Sequence, residues 1–254
     1  MHIRTIGKFT ALEALRTRLP LTAILALLLL LLASFFVREL AVTEAARFQT
    51  AFYSAAARLC AVFLVAVYVL ASVAREFNDK GLEAVLALDV RRSHYILGKL
   101  AGFLLAALIV AATLSLPAFL FAPLPAAASW AFSLTLELAL VTALALFCIV
   151  TFNMLLPAAA FVAGFYLICR SMEAMRLMSA YPVGSNDGWS QQVTQGLVEL
   201  LAYLLPALDG WTRASWLVDA APSPGELAAI AVQGVIYFVL LTAAALFDFY
   251  RRSF

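Results

Sequence analysis

This sequence predicts an all-α, polytopic membrane protein with six transmembrane helices, and three observations carry the prediction. Of its 254 residues, 65% are hydrophobic and 13% charged, with a mean hydropathy of +0.99. Soluble domains hold about 45–50% apolar and about 25% charged residues, so a soluble fold could not cover this much apolar side chain. The apolar residues fall in six runs near the length that crosses a hydrocarbon core of about 30 Å, and most of the 17 Lys and Arg residues flank those runs.

Residues 1–18 precede the first run. Ile3, Ile6, Phe9, Leu12, Leu15 and Leu19 recur mostly at three-residue steps, with Arg4, Lys8, Glu13, Arg16 and Arg18 between them. This is the pattern of a basic amphipathic helix, lying in a membrane interface or packed on the protein's own loops. Pro20 turns the chain into a first span over 19–37, about 28 Å at 1.5 Å per residue. Further spans are predicted over 52–74, 96–121, 130–150, 154–169 and 227–247. The turn Thr151-Phe152-Asn153 is so short that spans four and five form a tight hairpin. Residues 170–226 make an outer segment whose apolar stretch, 197–208, is broken at Pro206 and too short to cross. It predicts a re-entrant or interfacial helix before the last span. The chain 1–254 thus reads as one transmembrane domain.

With both termini inside, the inner segments hold Arg4, Lys8, Arg16, Arg18, Arg75, Lys80, Arg91, Arg92, Lys99, Arg251 and Arg252. The outer segments hold Arg38, Arg47, Arg58, Arg170, Arg176 and Arg213. Eleven against six places both termini in the cytoplasm. The first apolar run lacks a small-residue cleavage site and leads into further spans, so it is read as a span and not a secretory signal. No internal repeat is visible, which disfavours an inverted-repeat carrier.

A net charge of +2 offers no nucleic-acid surface. Cys60, Cys148 and Cys169 stand alone in apolar stretches and read as small buried hydrophobes, and His2 and His94 fall in cytoplasmic segments, so no metal site is predicted. There is no HExxH, GxSxG or intramembrane aspartate pair, and no GxxxxGK[ST] loop to cradle a nucleotide. The chain is therefore expected not to be an enzyme and to bind no cofactor of its own. Small residues such as Ala101, Gly102, Ala106 and Ala107 suit close helix packing in span three. Trp189, Tyr203, Trp211 and Trp216 read as an outer aromatic belt, with a cation-binding cage as the alternative.

Two ionisable residues fall at least six residues deep in predicted spans, Arg58 in span two and Glu137 in span four. A lone carboxylate at that depth costs several kcal/mol, roughly, so a partner is expected. The sequence predicts an Arg58–Glu137 contact, within one subunit or across a dimer, as either a structural pair between helices or a substrate contact.

The most informative stretch is the cytoplasmic loop 75–95. It opens with Arg75, Glu76, Asp79 and Lys80, continues through an apolar helix over 82–88, and closes on Arg91 and Arg92. Leu82, Val85 and Leu86 share one helical face, which must be buried on the protein's own interfacial helix or in a partner's groove.

The series Arg75-Glu76, Gly81-Leu82-Glu83-Ala84-Val85-Leu86-Ala87-Leu88, Val90-Arg91-Arg92 and Gly98-Lys99 resembles the loop of type-2 ABC transporter permeases. The basic leader resembles that family's elbow helix. Tyr203-Leu-Leu-Pro206-Ala-Leu-Asp209 resembles its outer stretch before the last span, and Phe247-Asp-Phe-Tyr-Arg251-Arg252 its ending. The closest likeness is to permeases of nitrous-oxide-reductase maturation, with departures at Ala87-Leu88-Asp89, where a proline is common, and at Trp211, where a Phe is usual.

The resemblance implies a permease subunit of an ATP-driven exporter in a bacterial cytoplasmic membrane. A second permease copy, identical or related, would complete the path. Separate cytoplasmic ATPase subunits would hold ATP and Mg and grip the helix around Gly81–Leu88 as a coupling helix. The resemblance assigns Glu76, Asp79, Gly81, Leu82, Glu83, Leu86, Arg91 and Arg92 to that contact. Membrane lipid or a periplasmic protein would meet the outer segment. Two readings from other classes stand beside it: a membrane anchor or assembly scaffold that transports nothing, and an ion-coupled carrier using Glu137.

Overall fold

A computed structural model describes residues 2–78, 92–180 and 189–251, and those residues form an all-α bundle. Helix α1 (His2–Arg16) ends at a sharp turn in which Arg18 takes a left-handed φ of 60° and the Thr17 hydroxyl bonds the Glu13 carbonyl at 2.8 Å. Pro20 then sits in the first turn of α2 (Leu19–Leu40), where its missing N–H costs nothing. The remaining long helices are α3 (Ala45–Asn78), α4 (Arg92–Ser115), α6 (Leu124–Phe152), α7 (Leu155–Ala180) and α10 (Pro224–Arg251). The short α5 (Ala118–Phe121) extends α4 past Pro117. Six helical segments among the described residues are long and apolar enough to cross a membrane, as the sequence predicts.

The tight hairpin between α6 and α7 is present. Asn153 closes α6 in the left-handed region at φ 57°, which Asn tolerates better than most residues, and returns its N–H to Ile149. Most spans run longer than predicted, and two of the largest extensions pass through arginines. Helix α3 begins seven residues before 52, because Arg47 there is neutralised by Glu44 and Asp219. Helix α7 runs eleven residues past 169, because Arg170 turns inward and Glu173 pairs with Arg213.

Helix α6 is the central element, with Leu134, Leu138, Val141, Leu144, Ala145 and Cys148 all buried against its neighbours. Helices α2 and α10 are peripheral and expose Leu25, Leu28, Leu29 and Leu32 on one, and Val232, Val235 and Val239 on the other. Lipid, not water, is the solvent for such faces.

Helix α1 docks directly on α4. At Gly98 an added Cβ would lie 2.8 Å from the Ile6 Cβ, and at Gly102 it would lie 2.4 Å from the Thr10 Cβ. Glycines four residues apart thus let two backbones approach, as in close-packed membrane helices. The buried stripe of α1 is Gly7, Thr10 and Ala14, while Phe9, Leu12 and Leu15 are exposed. A series at three-residue steps drifts by about 60° per step on a 3.6-residue helix, so it cannot stay on one face. Phe9, Leu12 and Leu15 of the apolar series thus face away from α4, and small residues make the docking side.

The stretch before the last span departs most from expectation. Helix α8 (Trp189–Leu204) is largely exposed and leans on the end of α7, with the Gln195 side chain donating to the Ser179 carbonyl at 2.8 Å. The chain breaks at Pro206, as predicted, but the part that enters the bundle lies beyond it. Leu208, Trp211, Thr212 and Leu217 are buried among the spans, in a 3-10 turn (Leu208–Gly210), the bend after it and the short α9 (Ser215–Val218). Of the four aromatics read as a belt, Trp189 and Tyr203 are exposed. Trp211 and Trp216 are buried, and the Trp211 ring lies where a Cβ on Gly234 would meet it at 3.0 Å.

Candidate functional site: two polar clusters on one helix

Two groups of charged residues occupy the bundle, and α3 belongs to both. The first is buried between α3, α6, α7 and the buried turn around Leu208–Thr212. Arg58 on α3 and Glu137 on α6 lie thirteen residues from the starts of their helices, about 20 Å along each. Ser133 and Glu137 share one face of α6 at a spacing of four, and Tyr166 and Arg170 share one face of α7 in the same way. The two faces meet. Tyr166 donates to one Glu137 oxygen at 2.8 Å, and Thr212 donates to the other at 2.7 Å.

Arg58 and Glu137 meet on Thr212. The Arg58 guanidinium donates to the Thr212 carbonyl at 2.9 Å, while the Thr212 hydroxyl reaches Glu137. No ion pair within 4.0 Å joins Arg58 to Glu137 within the chain among the described residues, and one residue bridges them instead. The physical reason is the irregular backbone. Carbonyls in a buried non-helical segment lack the regular partners that a helix gives them. Arg170 serves two, Leu208, whose carbonyl also accepts the Trp211 N–H at 3.1 Å, and Trp211, to which it donates at 2.8 Å. Arg58 supplies a third, and Ser133 accepts the Thr212 N–H at 3.0 Å. Glu137, fully buried, then offsets the charge of the two arginines that do this work.

Thr212 is held at φ 46°, a left-handed conformation that is rare for a β-branched residue. The bonds to Ser133, Glu137 and Arg58 over-determine it. Thr212→Ser keeps the hydroxyl and eases the branch, so it should leave thermal stability in detergent unchanged or slightly raised. Thr212→Val keeps the branch and removes the donor, leaving a Glu137 oxygen unsatisfied, and should cost about 1–3 kcal/mol. Equal melting temperatures for the two variants would contradict this account.

The second cluster lies at the end of the bundle where α3 ends, next to the start of α4. Lys99 on α4, with a side chain only 5% exposed, pairs with Glu76 of α3 and, at 3.7 Å, with Glu13 of α1. Tyr95 donates to Glu76 at 2.5 Å, Ser72 donates to Glu13 at 3.0 Å, and Arg75 adds a long pair to Glu13 at 3.9 Å. Tyr95 also stacks on Phe249 of α10 at 5.7 Å, so both ends of the described chain gather here. Glu76, assigned by resemblance to an ATPase contact, is thus engaged within the chain. A buried lysine requires a carboxylate, and Glu76 is on the neighbouring helix to provide one. Arg92 opens α4. Asp79, Gly81, Leu82, Glu83, Leu86 and Arg91 lie outside the described residues.

Sequence reasoning found Arg58, Glu137 and Glu76 but missed Ser133, Tyr166, Arg170, Thr212, Lys99 and Glu13. The four-residue spacings of Ser133 with Glu137 and of Tyr166 with Arg170 were the available signal. Nothing local marks Thr212, whose role depends on the fold of a broken segment. No family model matches this sequence, and no curated protein matches it either.

Proposed function

We propose that the chain is the membrane subunit of an ATP-driven ABC transporter of the type-2 kind, an exporter of a bacterial cytoplasmic membrane. It works with a second copy or a related chain over separate cytoplasmic ATPase subunits, and both its termini face the cytoplasm. The single observation that best supports this reading is the reach of α3. It is one unbroken helix of 34 residues, about 50 Å long, which is longer than a bilayer core. At one end Glu76 holds it in the Lys99 clamp, immediately before the 79–91 loop. In its other half Arg58 holds the re-entrant segment through Thr212.

A force on the loop would first meet the clamp, which ties α1, α3 and α4 together. These helices would move as one body, and α3 would carry the displacement to the 206–213 segment. That is a rigid-body switch, biased by nucleotide in a partner chain and needing no chemistry in this one. In this reading the loop residues Gly81–Leu88 make the ATPase contact, and Glu76 is a positioning residue behind them. An ion-coupled carrier would need Glu137 to exchange protons or ions during turnover. Both its oxygens are already held, by Tyr166 and Thr212, which favours a positioning role.

The test is purification from native membranes with a tag on this chain. A second chain that is photolabelled by an ATP analogue and trapped by vanadate should accompany it. Gly81→Pro and the charge reversal Glu83→Lys should leave insertion and yield unchanged while removing transport-coupled hydrolysis. A pure scaffold would show no hydrolysis linked to this chain, and a carrier no ATPase partner.

A further inference from the structure

We infer that the trough between α1 and α4 is a binding site for one acidic phospholipid, with an acyl chain in the trough and the phosphate at Arg4 and Lys8. The trough has a volume of about 430 Å³. Its walls are Leu12 and Leu15 of α1 and Leu105 of α4, all exposed, and it has depth because Gly7, Ala11 and Ala101 are small. Arg4 and Lys8, one turn apart, stand at one end.

Charge selects the occupant. The first 18 residues carry Arg4, Lys8, Arg16 and Arg18 against one acid, Glu13. Glu13 is turned into the bundle, where Ser72, Arg75 and Lys99 hold it. The outward face of α1 is therefore basic without internal compensation, and neither Arg4 nor Lys8 has an acidic partner among the described residues. A protein helix filling the trough would leave both cations facing apolar surface. An anionic lipid supplies both halves, a chain for the leucines and a phosphate for the bases, in the interface where an amphipathic helix lies. The site stands whether or not the chain serves an ATPase.

The experiment uses the full-length chain, reconstituted with either phosphatidylcholine alone or phosphatidylcholine containing phosphatidylglycerol, then released for native mass spectrometry. One phosphatidylglycerol should be retained in preference to phosphatidylcholine. Arg4→Gln combined with Lys8→Gln should lower that retention by about tenfold or more. Ala101→Phe, which fills the trough and leaves both charges, should do the same, as should Leu12→Glu, which sets a carboxylate in the apolar part. Arg38→Gln, at the opposite end of α2, should change nothing, and free glycerol phosphate should not compete. Retention unaffected by Ala101→Phe and by Leu12→Glu in folded protein would reduce the effect to general surface attraction and overturn the site. So would equal retention of the two lipids, or binding of a second protein copy in place of lipid.

Discussion

Glu137→Leu should be the most destabilising substitution in the transmembrane core. It removes the buried carboxylate that faces Arg58 and Arg170 while leaving both arginines committed to the carbonyls of Leu208, Trp211 and Thr212. Breaking a buried charged network at one partner costs about 3–5 kcal/mol, because the remaining charge stays buried. Tyr166 and Thr212 also lose their acceptor. The expected result is loss of the monodisperse peak in detergent, or a large fall in melting temperature measured by size-exclusion after heating. Glu137→Gln should fall between this variant and the parent, since its amide oxygen still accepts one of the two hydroxyls. A Glu137→Leu protein that melts with the parent would remove the cluster from any structural role, and with it the explanation for the re-entrant turn.

Gly102→Val should detach α1. The new Cβ would lie 2.4 Å from the Thr10 Cβ and 2.8 Å from the Gly7 carbonyl oxygen. Backbone and branch-point atoms cannot rotate away, so α1 must move by more than about 1 Å to restore van der Waals distance. Overpacking of this kind costs about 1–3 kcal/mol within a rigid core, and an edge helix relieves it by leaving. Departure carries Glu13 away from Lys99, which loosens the clamp as well. A cysteine at the buried position Ala14 should be protected from maleimide in the parent and labelled readily with Gly102→Val. Gly164→Val provides the control, since nothing lies within 4 Å of the position its Cβ would take. Protection of Ala14→Cys in the Gly102→Val background would show that α1 is not held by this contact.

What the sequence made legible follows from the physics of each signal. Runs of leucine and alanine report membrane spans directly, because the bilayer demands a length of apolar helix and little else. The six spans were therefore readable, and so was the break at Pro206, which no helix passes without cost. Ends of spans were harder. Arg47 and Arg170 looked like boundaries, yet both helices run on through them because Glu44 and Asp219 neutralise one and backbone carbonyls receive the other. Charge in a sequence reports a cost, and only the fold reports what offsets it.

The candidate site divides in the same way. Arg58 and Glu137 stood out because ions inside a span require partners. Their actual meeting point, Thr212, belongs to a segment whose course depends on packing against Ser133 and on a left-handed backbone at φ 46°. No periodicity encodes that. Lys99 and Glu13 were read as members of a basic loop and a basic leader, two separate features. Their pairing became visible only when Gly98 and Gly102 brought α1 against α4.

The most direct measurement is ATP hydrolysis by the purified assembly in proteoliposomes, with parent chain and with Glu83→Lys. The proposed role predicts hydrolysis by a separate chain that rises when the parent membrane subunit is present and falls to the level of the isolated ATPase with Glu83→Lys, at equal membrane insertion. Hydrolysis that is the same with parent, with Glu83→Lys and without the membrane subunit would contradict it.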